Sequence, residues 1–341
     1  MPRPEHLRPP NYAEQFDDDT LLYDVFRRDN QIILIGPSLI EDERLAELID
    51  NIQINQTSIK SLNYACYVSH KIFKIIIDNA NPDWDSINIY HKQLPVRRSP
   101  YENMKPNKVL CTKQKDNEIV WIKDWILWYH SFYDIDLVVI YDNASTRYSV
   151  EELKASLSDM PCSVIVESFP FKFGPQAWEM GKWDSDFCEY AIYEHIRYYV
   201  CGNQGYFFNF DIDELLIFKE FSSINWNKTK YNGIHFRGKW AFLDIKHQPN
   251  HRSKIKHASH SIVDKEYISG RGKYIALLNK LAHANFLNTH QISNPQVIYY
   301  KPSKAFYLHF HSISTNWKYD RAKTIDFNPQ IHDRINIKLV S

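Results

Sequence analysis

A chain of 341 residues with 41 Lys plus Arg against 41 Asp plus Glu is long enough for one large domain or two ordinary ones. The neutral balance argues against a general nucleic-acid binder, which carries a basic excess. The five cysteines (Cys66, Cys111, Cys162, Cys188, Cys201) are scattered and form no Cys-x-x-Cys. A disulfide framework or structural zinc site is therefore not expected, and a reducing compartment fits better.

No apolar run reaches the roughly 18 residues of a membrane span. Residues 1–10 are proline-rich and polar, without the apolar segment of a secretory signal. A cytoplasmic location is expected, with no transmembrane segment; peripheral association at the inner face of a membrane is compatible with it. Residues 1–19 read as an extended N-terminal arm ending in Asp17-Asp18-Asp19. Short strands are expected at 21–28, 31–35, 64–68, 71–77 and 86–91, with Arg27-Arg28-Asp29-Asn30 as a hairpin turn. Leu45, Leu48 and Ile49 recur at helical spacing and predict a helix over 41–52. Residues 20–105 thus read as a small, mainly β appendage with no clustered His, Cys or carboxylates, and the sequence assigns it no chemistry. Pro95, Pro100 and Pro106 punctuate a linker-like stretch after it.

The rhythm then changes. A strand at 108–112 leads through a polar turn to 118–133, where Trp121, Trp125, Tyr129 and Phe132 recur at helical spacing beside Ile122 and Ile126. Lys123, Asp124 and His130 fall on the other side, so this is an amphipathic helix. A strand at 137–141 ends in the polar loop Asp142-Asn143-Ala144-Ser145. A helix at 150–157, a strand at 162–168 and a helix at 184–200 follow. This alternation predicts an α/β domain over 106–320 with a mostly parallel central sheet, and a C-terminal tail over 321–341. Ligands of such sheets bind beyond the carboxyl ends of the strands, and Thr112, Asp142 and Asp211 each lie at or just past one.

Three carboxylates interrupt the next apolar run, Phe207-Phe208-Asn209-Phe210-Asp211-Ile212-Asp213-Glu214-Leu215-Leu216. On a regular strand Asp211 and Asp213 share a face and Glu214 points away. Two anions held together on a buried strand need compensation, and oxygen ligands suit a hard cation, Mg²⁺ or Mn²⁺; the other reading of the run is a strand-end turn with solvated acids. Glu214 reads as structural or as a support behind the ligands. His309 and His311, also two apart, offer a third ligand from a late strand. The stretch His251, Arg252, Lys254, Lys256, His257, His260 reads either as a solvated loop or as a contact for diphosphate or an anionic acceptor. Ser269-Gly270-Arg271-Gly272-Lys273 reads as a flexible phosphate clamp without the spacing of a P-loop.

These residues together resemble the GT-A glycosyltransferases, and within them glycosyltransferase family 92 and its bacterial relatives. The likeness is carried by Thr112-Lys113-Gln114-Lys115-Asp116-Asn117-Glu118, then Asp124-Trp125 and Tyr129-His130, Tyr141-Asp142-Asn143-Ala144-Ser145, and Asp211-Ile212-Asp213-Glu214-Leu215. It continues more thinly through Trp240-Ala241-Phe242, Lys273-Tyr274-Ile275, which lacks the family's Arg-Pro, and Leu308-His309-Phe310-His311-Ser312 to Trp317-Lys318. It covers about 108–320. The resemblance implies a GT-A fold and an inverting, metal-dependent glycosyltransferase, with Mn²⁺ or Mg²⁺ on Asp211, Asp213 and His309 or His311. It implies a nucleotide-sugar donor met by Thr112, Glu118, Asp142, Asp211 and Lys273, where Asp142 would accept from the base or ribose. Asp142 also reads as an Asx-turn residue, and Glu118 as a helix cap. A catalytic base is expected on the acceptor side, among Asp244, Asp264 and Glu266, with nothing in the sequence to choose among them. The acceptor would be a glycan or a lipid-linked glycan, as in surface polysaccharide synthesis. The alternatives are a metal-dependent phosphohydrolase or nucleotidyltransferase using the same acids, or a non-catalytic sugar-binding module.

Overall fold

Strands rich in Ile and Phe build both halves of this chain, and the buried charges set among them decide which segments belong together. The computed structural model describes residues 3–38, 42–175, 186–247, 251, 254–269, 272–293, 296–313, 315 and 323–338. The chain divides into two units, the first formed by Met1–Lys105, Phe171–Gln204 and Leu281–Asn288, the second by Pro106–Pro170, Gly205–Lys280 and Thr289–Ser341.

In the first unit, Asp24–Arg28 and Gln31–Pro37 form the hairpin expected around Asp29-Asn30, with Arg28 opposite Gln31. They belong to a five-stranded sheet with Tyr64–Val68, Ile72–Ile77 and Arg97–Arg98. A smaller sheet contains Ile52–Ile54, Thr57–Ser58, Ser86–Ile89 and Lys92–Pro95, and Leu45 and Leu48 of the Asp42–Asp50 helix share a core with Ile54, Ile75 and Ile87. The unit reaches beyond residue 105 for a physical reason. Lys74, completely buried on its strand, donates to Glu194 Oε2 at 2.6 Å and to the Asn285 carbonyl at 2.9 Å. Arg28 likewise donates to the Tyr199 carbonyl at 2.8 Å. Glu194, Asn285 and Tyr199 lie in the two later segments, while Arg28 also donates to the Met104 carbonyl at 3.2 Å within the first. The helix expected at 184–200 runs as Phe187–His195 and continues as a π-helical turn, Ile196–Val200; Asp184 and Ser185 lie outside the described residues.

The second unit holds a large central sheet. Ser163–Ser168, Leu137–Asp142, Lys108–Gln114 and Tyr206–Asn209 lie side by side in that order, all parallel. From there Gly272–Leu277, Gly233–Asp244, Ile262–Asp264 and His332–Arg334 pair antiparallel in turn. The sheet is therefore mixed, not mostly parallel. Parallel pairing needs long crossovers, usually helical. Among the described residues no α-helix follows Val200, yet Gly233–Asp244 also pairs parallel with Tyr299–Tyr300, Phe306–Phe310 and Thr324–Ile325. No helix of the described residues is long and apolar enough to cross a membrane.

The Ile119–Tyr133 helix buries Trp121, Ile122, Trp125, Ile126, Trp128, Tyr129 and Tyr133. Phe132, expected on that face, stays exposed. The polar ends of these rings have a specific task. Tyr129 Oη donates to the Glu214 carbonyl at 3.1 Å and accepts from Leu216 N at 3.0 Å. Tyr133 Oη does the same for the Leu216 carbonyl and Phe218 N, at 2.8 and 3.0 Å. Glu214–Ile217 pairs on its other side with Phe306–Phe310. The helix thus supplies hydrogen bonds to an edge that a strand would otherwise fill.

Gly205 sets the entry into the Tyr206–Asn209 strand. Its φ is +82°, and a Cβ there would come within 2.6 Å of the Pro106 carbonyl oxygen and 2.7 Å of that of Asn107. Both obstacles are backbone. Gly205→Ala should therefore destabilise the protein by about 2 kcal/mol or more, since the left-handed region alone costs an L-residue roughly 1–2 kcal/mol; urea unfolding of the variant measures this, and a change under about 0.5 kcal/mol would refute it.

Candidate metal and anion site

The apolar run that carries the acids is not one strand. It breaks after Asn209, turns through Phe210 to Asp213, and resumes as Glu214–Ile217. Glu214 N donates to the Asp211 carbonyl at 2.9 Å, and Glu214 Oε2 accepts from Asp211 N at 2.8 Å. The Glu214 side chain thus closes its own turn. The rule that alternate residues share a face does not survive such a turn, and Glu214 is folded back among the other acids.

Three elements meet there. Register places His309 opposite Glu214 on one side and opposite Trp240 on the other. His309 Nε2 donates to Asp213 Oδ2 at 3.0 Å, and its ring packs on Trp240 with centroids 4.3 Å apart. Ligand atoms of Asp213, Glu214 and His309 lie within 4.8 Å of one another, and all three residues are buried. Donors on opposite sides of one Mg²⁺-sized ion are about 4.2 Å apart, so the group needs to close only slightly. Two carboxylates and one imidazole suit Mn²⁺ well and Mg²⁺ acceptably.

Lysines flank this group. Lys113 Nζ lies 3.2 Å from Asp211 Oδ1, while Lys273 Nζ lies 2.6 Å from Asp211 Oδ2 and 3.0 Å from Glu214 Oε2. Burial opposes ionisation of Asp211, but Lys113 and Lys273 outweigh it and hold the acid well below the usual carboxylate range. Burial pushes Glu214 up, with Lys273 opposing. Lys273 is itself buried, which disfavours its charge, yet Asp211 and Glu214 keep the ammonium protonated above its usual range.

The turn is also pinned from behind. His257 Nε2 donates to the Ile212 carbonyl at 2.8 Å, and its Nδ1 faces Asp124 Oδ2 at 3.7 Å. His260 Nε2 donates to the His311 carbonyl at 2.5 Å. Both rings are fully buried. They are supports inside the fold, neither a solvated run nor an exposed anion contact.

Asp213 and His309 stand together, Asp211 beside them in the lysine clasp. His311 lies past the strand end, stacked on Phe242 with centroids 4.6 Å apart and near Trp240. Thr112 is buried, its hydroxyl donating to the Lys113 carbonyl at 3.1 Å. Asp142 is buried and shapes its loop: Oδ1 accepts from Gln114 Nε2 and from Ser145 Oγ, and Oδ2 from Ser145 N at 3.0 Å. Glu118 precedes the helix and pairs with Arg147 at 2.8 Å. It lines a cavity of about 340 Å³ with Lys115, Asp116, Trp121, Thr146 and Arg147 among others. Asp244 is buried against Arg334 at 2.7 Å, Glu266 is exposed, and Asp264 is half-buried, 3.4 Å from His332, with burial pushing its carboxyl up. Gly270, Arg271, Trp317 and Lys318 lie outside the described residues.

Sequence reasoning passed over two members of the site, Glu214 and Lys113. Glu214 was hidden by the assumption of a regular strand. Lys113 had a usable signal, since it directly follows Thr112 at a carboxyl strand end.

No protein-family model matches this chain, and no curated protein matches it. Among solved structures it matches core-mannan synthase A from Aspergillus fumigatus in its Mn/GDP form, at 11% sequence identity and a TM-score of 0.26. The match covers 43% of this chain and spans 45% of that one. A likeness of that size carries no argument about fold or activity, so the functional reading rests on the residues.

Proposed function

We propose that this chain is a metal-dependent glycosyltransferase with a GT-A core, moving a sugar from a nucleotide-sugar donor to a glycan or lipid-linked acceptor. The observation that carries this reading is the Asp213, Glu214, His309 group, set just past the carboxyl end of the Tyr206–Asn209 strand with Lys113 and Lys273 beside it. A cation held by those three residues would neutralise charge developing on a diphosphate leaving group. Lys113 and Lys273 lie where phosphate oxygens would approach that cation. The cavity beside Glu118 has the size of a small-ligand site and carries Lys115 and Arg147 for an anionic nucleotide. Asp142, saturated by Gln114 and Ser145, would act by holding the loop that borders it.

Among the base candidates, Asp264 is supported best. Asp244 is committed to Arg334 and Glu266 stands exposed, whereas the Asp264 carboxyl is half-buried with raised proton affinity, a property that suits a general base. It lies one register step beyond the Ala241–Val263 pair, in the row that runs through Trp240 and His309. An inverting outcome would follow from direct attack by the activated acceptor.

A panel of sugar nucleotides, each tested with Mn²⁺ for thermal stabilisation, examines the reading. A donor at 100 times its Kd should add about 2.7 kcal/mol of stability. The reading fails if no sugar nucleotide stabilises the protein. Release of inorganic phosphate, rather than nucleoside diphosphate, would favour a phosphohydrolase.

A further inference from the structure

The outer strand of the five-stranded sheet, Tyr64–Val68, has an open side. It pairs with Ile72–Ile77 in an unbroken antiparallel register, from Tyr64 opposite Ile77 to Val68 opposite Phe73. Asp78 N donates to the Asn63 carbonyl at 2.9 Å, and Ser69 N to the Ile72 carbonyl at 2.8 Å. Bonded residues alternate in such a ladder, so Asn63, Ala65, Tyr67 and Ser69 turn their backbone groups inward. Tyr64, Cys66 and Val68 turn theirs outward, where no strand or hydrogen bond among the described residues meets them.

Open edges are ordinarily guarded by charge, proline or a bulge. The opposite edge of this sheet is guarded, being a short strand of two arginines, Arg97 and Arg98. Tyr64–Val68 is not. From Ser61 to His70 there is no proline and no Asp, Glu, Lys or Arg, and no bulge breaks the register. On the core-facing side Tyr64 and Cys66 lie half-buried at the rim of the core around Ile75 and Ile77, and Val68 beside them is 50% exposed.

Symmetry sets what fits this edge. Two copies running antiparallel about a two-fold axis at Cys66 put Tyr64 opposite Val68 and Cys66 opposite itself. Every outward N–H then meets an outward carbonyl, and a shifted register leaves some of them over. Ala65 falls opposite Tyr67, Asn63 opposite Ser69 and Leu62 opposite His70, so no like charges meet. The half-buried rim of each core is covered by the other's. A contact of this kind uses the same patch on both copies and closes on itself.

We propose that the chain forms a homodimer through this edge, the five-stranded sheets of two copies joining into one across Cys66. Five residues a side is fewer than the roughly 20–30 of a standard interface, so the dimer is micromolar rather than nanomolar.

Sedimentation of the intact chain from about 1 to 300 µM should show monomer giving way to dimer. Oxidation at the upper concentration should link the copies through Cys66, because directly opposed hydrogen-bonded residues stand about 5.5 Å apart at Cα, within disulfide reach. Cys66→Ser should lose the cross-link, and Cys162→Ser, at the other half-buried cysteine, should keep it. Val68→Pro removes an outward N–H and no bond of the existing ladder. It should keep the melting temperature within a few degrees and weaken the dimer by about tenfold or more. A parent still monomeric at about 300 µM would overturn the proposal and leave the edge to an extended segment of another protein. A dimer that cross-links equally well without Cys66, or that Val68→Pro does not weaken, is built elsewhere and overturns it too. If Val68→Pro does not fold, the concentration series and the Cys66 cross-link decide.

Discussion

Asp213→Asn should all but abolish Mn²⁺ binding while leaving the metal-free fold intact. The side chain accepts from His309 Nε2 at 3.0 Å, and an asparagine carbonyl can accept the same bond, so little packing changes. What is lost is an anionic donor of the group, whose other carboxylate, Glu214, already meets Lys273 at 3.0 Å. An amide oxygen is a much weaker ligand than a carboxylate, and changes even to groups that merely orient ligands lower metal affinity by about 10–100-fold. Loss of a direct ligand should reach at least the upper end of that range. At a Mn²⁺ concentration of about 100 times the parent's Kd, the parent gains about 2.7 kcal/mol and the variant about 0.4 kcal/mol or less. Sugar transfer should fall in parallel. Two results would sink the metal reading: a variant that keeps the full Mn²⁺-dependent stabilisation, or a parent that transfers sugar in excess EDTA.

The parts legible in the sequence share a property, which is that local pattern and tertiary role agree. The Ile119–Tyr133 helix shows its buried face by helical spacing, and the parallel strands carry the apolar runs Val109-Leu110-Cys111, Leu137–Tyr141 and Val164-Ile165-Val166. Where a side chain bends the backbone the pattern misleads. A regular strand would put Glu214 on the face away from Asp211 and Asp213, but the Glu214 carboxylate caps Asp211 N and makes a turn there. Periodicity carries no information on a bond of that kind. The basic stretch 251–260 misled in another way. His251, Lys254 and Lys256 are exposed as a solvated run would be and Arg252 lies outside the described residues, yet His257 and His260 are buried by the carbonyls of Ile212 and His311, which arrive from distant parts of the chain. The direction of the later strands was hidden too, because Gly233–Asp244 pairs antiparallel with Gly272–Leu277 and Ile262–Asp264 but parallel with Phe306–Phe310, and no motif marks which partner takes which direction.

Lys74 shows what a lone charge in an apolar strand announces and what it withholds. Ile72-Phe73-Lys74-Ile75-Ile76-Ile77 requires a buried partner for its lysine, but the partner, Glu194, lies 120 residues away. Lys74→Met should destabilise the first unit by about 3–5 kcal/mol, since removing one member of a buried pair leaves the other uncompensated. Arg197, 3.5 Å from the same Glu194 oxygen, and Leu287 N at 2.8 Å from the other soften this toward the lower figure. Lys74→Met combined with Glu194→Leu should recover much of the loss. The parent should also show a pH signature. Burial lowers the Lys74 pKa from 10.5 to about 7, with Glu194 opposing and Arg197 adding to the fall. Between those values the unfolded chain binds a proton that the folded chain has released, so stability rises with pH. The cost of burying the ammonium is fully present below about pH 7 and is relieved as pH approaches 10.5. Urea unfolding at pH 7, 8.5 and 10 should therefore show the parent gaining stability relative to Lys74→Met, whose slope lacks this contribution. Parallel pH profiles for the two proteins would mean that burial does not lower the proton affinity of Lys74, and a variant within about 1 kcal/mol of the parent at pH 7 would mean that its loss does not leave Glu194 uncompensated.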